Sequence, residues 1–208
     1  MTELNQLLDD QLREIKRRLR AAMNGVLSGT MRKNGVDYRV NFGVDQPRLA
    51  EIASEIPHTY KLAAALWKED IRELRLLAIM TMPQSDFDEE LAMLWMEQLR
   101  YAEEAQVLVL HLLQYRPYAS SMAFRLIAAD AVMQRLVGWL LLGRLFMANL
   151  RPTQRDADEL LDHVGTELSA PDGDVGVKRA ALNMLYKFMD LGEAEADRGE
   201  RLLTQLGL

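Results

Sequence analysis

Hydrophobic residues recur at helical spacing over almost the whole chain. In the first segment they lie three or four positions apart and form one stripe, made of Leu4, Leu7, Leu8, Leu12, Ile15 and Leu19. This spacing is typical of an amphipathic helix with one face turned toward a core. No stretch alternates convincingly between apolar and polar residues as a half-buried strand would. The pattern therefore predicts an all-α protein.

The predicted helices are short, about three turns in most cases. Pro57, Pro83 and Pro117 fall between them, where a missing amide N–H costs least. Ser85 and Asp174 resemble helix N-caps. The predicted segments are Glu3 to Met23, Leu27 to Lys33, Pro47 to Ile56, His58 to Lys68, Ile71 to Met82, Asp86 to Leu99, Tyr101 to Tyr115, Tyr118 to Ala129, Ala131 to Asn149, Thr153 to Ser169, Asp174 to Asp190 and Glu193 to Leu206.

The arrangement of these segments favours a HEAT-like α-solenoid, an α-α superhelix of about ten to twelve short helices. Short helices follow one another at a near-constant pitch without a clean sequence repeat. The segment from Tyr101 to Tyr115 has apolar residues on both sides, which is typical of a helix held between layers. A compact bundle, the alternative, favours fewer and longer helices. We therefore predict a single HEAT-like helical-repeat domain over residues 1–208.

Composition narrows the possible chemistry. The chain has no cysteine, and its three histidines, His58, His111 and His163, lie far apart, so neither a disulfide nor a metal site is predicted. The sequence has no glycine-rich phosphate-binding motif that would indicate a nucleotide, and no cofactor is expected. Trp67, Trp95 and Trp139 occupy apolar helical positions and are predicted to be core.

Two features of the sequence argue against a membrane protein. The first ten residues include acids and no apolar run, unlike a secretory signal. The most apolar stretch, Leu136 to Gly143, is much shorter than the roughly 20 residues of a membrane span. A cytoplasmic protein without membrane contact is expected.

The net charge of −6 conceals a strong segregation along the chain. Residues 105–155 contain six arginines, no lysine and a single acid, Asp130, whereas the segments on either side are strongly acidic. Arginine is suited to bidentate phosphate contact, so these residues could face a nucleic acid. Alternatively, they pair with the neighbouring acids. The sequence leaves both interpretations open.

Five segments, taken in order, carry a family resemblance. They are GVDQPRL at Gly43 to Leu49, ALW at Ala65 to Trp67, IRELRLLAIMTM at Ile71 to Met82, MQRLVGWL at Met133 to Leu140, and VKRAALNML at Val177 to Leu185. In order and spacing they resemble the DNA alkylation-repair glycosylases, the AlkD-like HEAT-repeat family, over roughly residues 35–190. The resemblance implies a right-handed helical solenoid that holds duplex DNA by its backbone. In active members an aspartate stabilises the cationic sugar as an alkylated base departs.

The family's catalytic segment reads Trp-Asp-x-Val-Asp, and it falls on Tyr101 to Ala105 here. Ala105 stands in the place of the essential aspartate, while Asn183 and Tyr186 stand where the family has a tryptophan and an arginine. The resemblance therefore implies that N-glycosylase activity is lost or altered.

Glu104 is the candidate catalytic residue, because a shifted alignment would make it a substitute for the aspartate. On a helical wheel, however, it lies about 100° from Ala105. Acids in the first turn of a helix are also favoured by the helix dipole without any catalytic role.

We predict a protein of this family that holds duplex or damaged DNA in a basic groove. The predicted nucleic-acid-binding residues are Arg116, Arg125, Arg135, Arg144, Lys178, Arg179, Arg32 and Lys33. Two alternatives remain: an active alkylpurine DNA glycosylase, and a protein-interaction scaffold that binds no nucleic acid. A protein partner is possible under either interpretation.

Overall fold

The computed structural model describes residues 3–208, with side chains from Asn5 onward, and this range is helical. It contains twelve α-helices, two 3-10 turns and no strand; Val40 and Ile71 form an isolated β-bridge. The helices are α1 Glu3–Ala21, α2 Gly25–Lys33, α3 Gln46–Ser54, α4 Tyr60–Trp67, α5 Arg72–Thr81, α6 Glu89–Met96, α7 Ala102–His111, α8 Ala119–Ile127, α9 Val132–Met147, α10 Gln154–Ser169, α11 Val175–Met189 and α12 Glu193–Leu206. The all-α prediction is confirmed.

The helices fall into two compact units, an N-terminal unit that ends at Asp88 and a C-terminal unit that begins at Glu89. In the N-terminal unit, α3 and α4 pack against α5. The residues from Ile71 to Ile79 are all buried, so α5 is the centre of this unit. Such a helix stays apolar around most of its circumference because it has no solvent face.

Three charged residues lie inside that buried stretch, and all three have partners. The Arg75 guanidinium donates to the carbonyl of Trp67 at 3.2 Å and lies over the Trp67 ring. The Glu73 carboxylate accepts hydrogen bonds from the backbone N–H groups of Phe42 and Gly43 at 3.1 and 2.9 Å. The Arg72 guanidinium donates to Glu73 Oε1 and to the carbonyl of Val44, both at 2.8 Å. Buried charges need such partners. The Arg-Glu pair of the sequence motif therefore anchors the loop before α3.

Gly43 allows this loop to pack against α2. Its φ of +71° is a conformation that other residues rarely adopt. A Cβ at this position would also meet the carbonyl oxygen of Asn24 and lie 2.6 Å from the Ser28 nitrogen. Only glycine fits here without a shift of the backbone.

In the C-terminal unit, α9 lies between α7 and α11. α8 packs on α9, while α10 and α12 pack on α11. The rings of Phe146 and Phe188 meet at 5.8 Å between centroids and join α9 to α11. Trp139 is 1% exposed, and Trp67 and Trp95 are also buried, so the prediction of core tryptophans is confirmed.

Most predicted boundaries lie within two residues of the observed ones. Asp174 caps α11 as predicted, accepting from the Val177 N–H at 2.9 Å. Ser85 does not cap a helix: it lies in a 3-10 turn, and α6 begins only at Glu89. α7 ends at His111, four residues before the predicted end at Tyr115, and the 3-10 turn Leu113–Tyr115 follows it. Pro117 then holds Arg116 in extended conformation with a ψ of 143°.

Candidate nucleic-acid interface

Two arginines of the arginine-rich segment pair with acids from the segments on either side. Arg125 on α8 contacts Glu89 at the start of α6. Arg151 donates to the carbonyl of Leu191 and approaches Glu195 of α12, with 3.7 Å between nitrogen and oxygen. These guanidinium groups lie at the surface, but their charges are matched within the chain. Both are therefore poorer phosphate contacts than an arginine that lies near no carboxylate.

Arg135 is engaged in contacts inside the C-terminal unit. Its Nε donates to Glu167 of α10 at 2.9 Å, and its Nη1 donates to the carbonyls of Ala129 and Asp130 at 3.1 and 2.7 Å. Those carbonyls follow the end of α8 and need donors. Arg135 thus ties the end of α8 to α10 from its position on α9.

Lys178 also serves a helix end, because its Nζ donates to the carbonyl of Ala170 just after α10. The lysine adds a second donor to this carbonyl, which also accepts from the Gly173 N–H at 3.3 Å. Its side chain is half-buried. The residue predicted to contact nucleic acid therefore has a local structural role as well.

Arg116 and Arg144 are both half-buried. Arg116 follows the 3-10 turn from Leu113 to Tyr115. The Arg144 Nε donates to the side-chain oxygen of Gln114 at 3.0 Å, so Arg144 is positioned by a neutral group and keeps its net positive charge.

The remaining predicted cations are exposed. Arg179 lies on α11, and Arg32 and Lys33 lie in the last turn of α2 in the N-terminal unit. Within residues 3–208, no ion pair with a carboxylate involves any of these three side chains. Their charge is available to an anionic partner.

An open groove of about 380 Å³ lies between α9 and α11. It is lined by Trp139, Leu140, Gly143, Arg144 and Met147 of α9, and by Ala180, Asn183, Met184, Tyr186 and Lys187 of α11. The base of the groove is apolar, and its polar residues are cationic or neutral. The α9–α11 groove thus combines a cavity with positive charge.

The exposed face of α11 continues the groove. Asn183 follows Arg179 by four residues, and Tyr186 and Lys187 follow Asn183 by three and four, so they share one side of the helix. Lys187 approaches Asp190 at 3.3 Å, an exposed pair of small energetic value. This face carries basic groups beside an aromatic ring that is 46% exposed, a combination suited to nucleic acid.

Gly143 is a residue of the groove that packing does not explain. A Cβ there would lie 3.8 Å from Met184, an ordinary contact distance. A glycine inside a helix costs about 1 kcal/mol relative to alanine. Gly138, one turn earlier, differs because its Cβ would lie 2.8 Å from the Ile127 nitrogen. The missing side chain at Gly143 leaves the groove open.

Trp139 contributes a second unusual feature. Its indole Nε1 is buried, and no acceptor for it is found in the part of the chain that the structure describes. An unsatisfied buried donor costs about 1–3 kcal/mol. The groove is therefore lined by a side chain with an unmet hydrogen bond.

Glu104 is completely buried at the start of α7. Its Oε2 accepts from the backbone N–H of Arg100 at 2.7 Å, an interaction that stabilises the entry to the helix. Ala105 is likewise 0% exposed. The geometry accounts for Glu104 as a capping residue, and its catalytic role stays a prediction.

Within residues 3–208, no group of three or more His, Cys, Asp or Glu side chains could hold a metal ion. None of the helices in the same range is long and apolar enough to cross a membrane.

A comparison with solved structures identifies the fold class. A solved structure, described as a new family of proteins related to the HEAT-like repeat DNA glycosylases with affinity for branched DNA structures, matches with a TM-score of 0.79. The match covers 92% of this chain and 81% of that chain at 16% sequence identity, so it shows the fold alone. The predicted HEAT-like fold is confirmed.

The family follows from the sequence. The model of the DNA alkylation repair enzyme family matches residues 15–173, and the chain belongs to that family. No curated protein matches the chain. The predicted family resemblance is confirmed.

The sequence pattern does not predict the groove. It marks Asn183 and Tyr186 only as replacements of residues that the resemblance implies, and it gives no signal at Lys187. Gly143, at the end of the apolar segment Leu136 to Gly143 and inside the predicted helix, is the available signal, since glycine inside a helix usually has a reason.

Proposed function

We propose that this protein binds DNA through backbone phosphates on the exposed face formed by α9 and α11. Arg144 and Arg179 supply the main phosphate contacts, and Lys187, which pairs with Asp190, supplies a weaker one. Arg32 and Lys33 add positive charge in the N-terminal unit. The observation that supports this proposal is a groove lined by Arg144 and Lys187 and by no acid, beside the exposed Arg179, in a member of a DNA alkylation repair family.

Electrostatics favours these residues over the other predicted arginines. Binding of a cation to phosphate releases counterions, and this release supplies much of the affinity of proteins for DNA. A guanidinium that already faces a carboxylate contributes less to DNA affinity, because the existing ion pair must be broken before it contacts a phosphate. Arg125, Arg135 and Arg151 therefore contribute less than Arg144 or Arg179. Arg116 stays a candidate contact.

We further propose that the N-glycosylase activity associated with the resemblance is lost. The chemistry requires a carboxylate fixed close to the developing sugar cation. Ala105 has none, and the carboxylate of Glu104 is buried and engaged with the backbone of Arg100. Such a protein would hold damaged or branched DNA without cleaving its glycosidic bond.

Fluorescence anisotropy tests the binding proposal. Labelled duplex and four-way-junction DNA are titrated with protein at several salt concentrations. We expect the Arg144→Ala/Arg179→Ala variant to bind about ten-fold more weakly and to reduce the slope of log K against log salt by about 2. The matched variant Arg125→Ala/Arg151→Ala removes the same number of arginines and is expected to stay within about two-fold. Absence of binding at micromolar protein would overturn the proposal.

A protein-interaction scaffold is the second candidate, and one observation favours it. Leu7 is 56% exposed and Tyr60 is 46% exposed, and both line an apolar groove of about 340 Å³ between α1 and the start of α4. Exposed apolar grooves often bind protein segments. The same titrations separate the candidates, because a scaffold of this kind predicts no salt-dependent DNA binding.

A further inference from the structure

We propose that the α9–α11 groove accepts one unpaired nucleobase of the bound DNA. This inference rests on the proposed DNA binding and adds the class of DNA that the site prefers. A base in a regular duplex is stacked and paired, so it cannot enter a groove on a helical surface. Bulged, branched or single-stranded DNA offers bases that can.

The lining of the groove suits a flat ring. Leu140, Met147 and Met184 supply apolar surface of the kind that packs against the face of a base. The volume of about 380 Å³ lies within the range of small-molecule sites, roughly 300–1,000 Å³. No acid lines the groove, so nothing there repels the phosphates on either side of the base.

The groove also contains polar groups that can pair with the edge of a base. The Asn183 side chain lines the groove and offers both a donor and an acceptor, the combination that reads base edges. The exposed ring of Tyr186 provides a stacking surface. Trp139 also lines the groove, with its indole N–H buried away from solvent.

Charge on the groove lining fits the backbone on either side of the base. Arg144 from α9 and Lys187 from α11 both line the groove. Arg179 lies one helical turn before Asn183 on the same face. These cations hold phosphates whether or not a base is present, so the contribution of the base can be measured separately.

Gly143 is the residue that makes the proposal testable. Because its missing side chain leaves the groove open, Gly143→Leu fills the groove without removing a cation. Gly143→Ala is the matched control, since its Cβ would lie at an ordinary 3.8 Å from Met184. Circular dichroism and thermal melting establish that both variants fold.

The experiment compares three labelled DNAs by anisotropy: a paired duplex, the same duplex with one bulged adenosine, and the same duplex with an abasic spacer as the bulge. The two bulges share their phosphates and differ in the base. For the wild-type protein we expect the adenosine bulge to bind about ten-fold more tightly than the abasic bulge, because the stacking of one base contributes an effect of about this size. Gly143→Leu should abolish this preference and leave duplex affinity within about two-fold, while Gly143→Ala should retain it.

Equal affinity of the wild-type protein for the two bulges would overturn the inference while the proposed DNA binding stands. If the protein binds none of the three DNAs, the proposed function is overturned as well. If Gly143→Leu does not fold, the exposed substitutions Asn183→Ala and Tyr186→Ala take its place. Each is expected to reduce the preference for the adenosine bulge at least three-fold with little effect on the paired duplex, and an unchanged preference in both would overturn the inference.

Discussion

The guanidinium of Arg135 and the carboxylate of Glu167 meet at 2.9 Å between α9 and α10, with side chains that are only 21% and 7% exposed. The pair joins a residue of the arginine-rich segment to an acid 32 positions later. It shows that part of the charge segregation along the chain serves the internal cohesion of the C-terminal unit.

Replacement of Arg135 by methionine should destabilise the protein. The change leaves Glu167 buried without its cation and removes donors from the carbonyls of Ala129 and Asp130. We expect the free energy of unfolding to fall by about 2–4 kcal/mol. Urea denaturation followed by far-UV circular dichroism measures it. The control Arg179→Met changes an exposed arginine and should stay within about 0.5 kcal/mol. Equal effects of the two substitutions would show that the pair contributes nothing.

The burial of Ala105 predicts that an aspartate at this position would destabilise the protein. An aspartate there matches the family pattern, but the position is 0% exposed. We expect Ala105→Asp to lower the free energy of unfolding by about 3 kcal/mol or more, because a carboxylate would be buried without a prepared partner. Ala102→Asp is the matched control, since that position is exposed in the first turn of the same helix, where an acid is favoured. A stable Ala105→Asp protein would mean that the position opens toward solvent or ligand.

The proposed absence of glycosylase activity can be measured directly. Alkylated DNA is incubated with the protein, and released 3- and 7-methylpurines are quantified by chromatography. We expect no release above the rate without protein, because no accessible carboxylate occupies the family's catalytic place. Release that is lost in Glu104→Gln would instead establish Glu104 as the catalytic carboxylate.

Local patterns predicted the helices well because local interactions determine them. Apolar spacing identifies the buried face of a helix, and a side chain such as Asp174 fixes an end within its own turn. The partners of the arginines could not be predicted in the same way. A phosphate contact and an ion pair both place the guanidinium near the surface, and the choice depends on residues such as Glu89, 36 positions from Arg125.

The groove was beyond sequence reasoning for a related reason. Its width depends on how Gly143 of α9 faces Met184 of α11, two residues that no periodicity connects. Sequence could show that Gly143 is unusual within a helix. It could not show whether close packing, as at Gly138, or open space explains the glycine.

His111 predicts an acid sensitivity of the C-terminal unit. It is half-buried at the end of α7, and burial lowers the pKa of its imidazole below the ordinary value of 6.5. The folded protein therefore binds this proton less readily than the unfolded chain does. The neutral form contributes stability above about pH 6.5, and this contribution is lost as the pH falls through the lowered pKa of the folded state.

We expect His111→Gln, which cannot become charged, to lose less thermal stability than the wild-type protein between pH 7.5 and pH 5. Calorimetric melting temperatures at several pH values measure the difference, and comparison of the two proteins at pH 7.5 separates the effect of the substitution itself. Parallel decreases in the two melting temperatures would show that protonation of His111 is not coupled to unfolding. A steeper decrease in His111→Gln would reverse the sign of the argument, because it would require a histidine that is stabilised in its charged form by the fold.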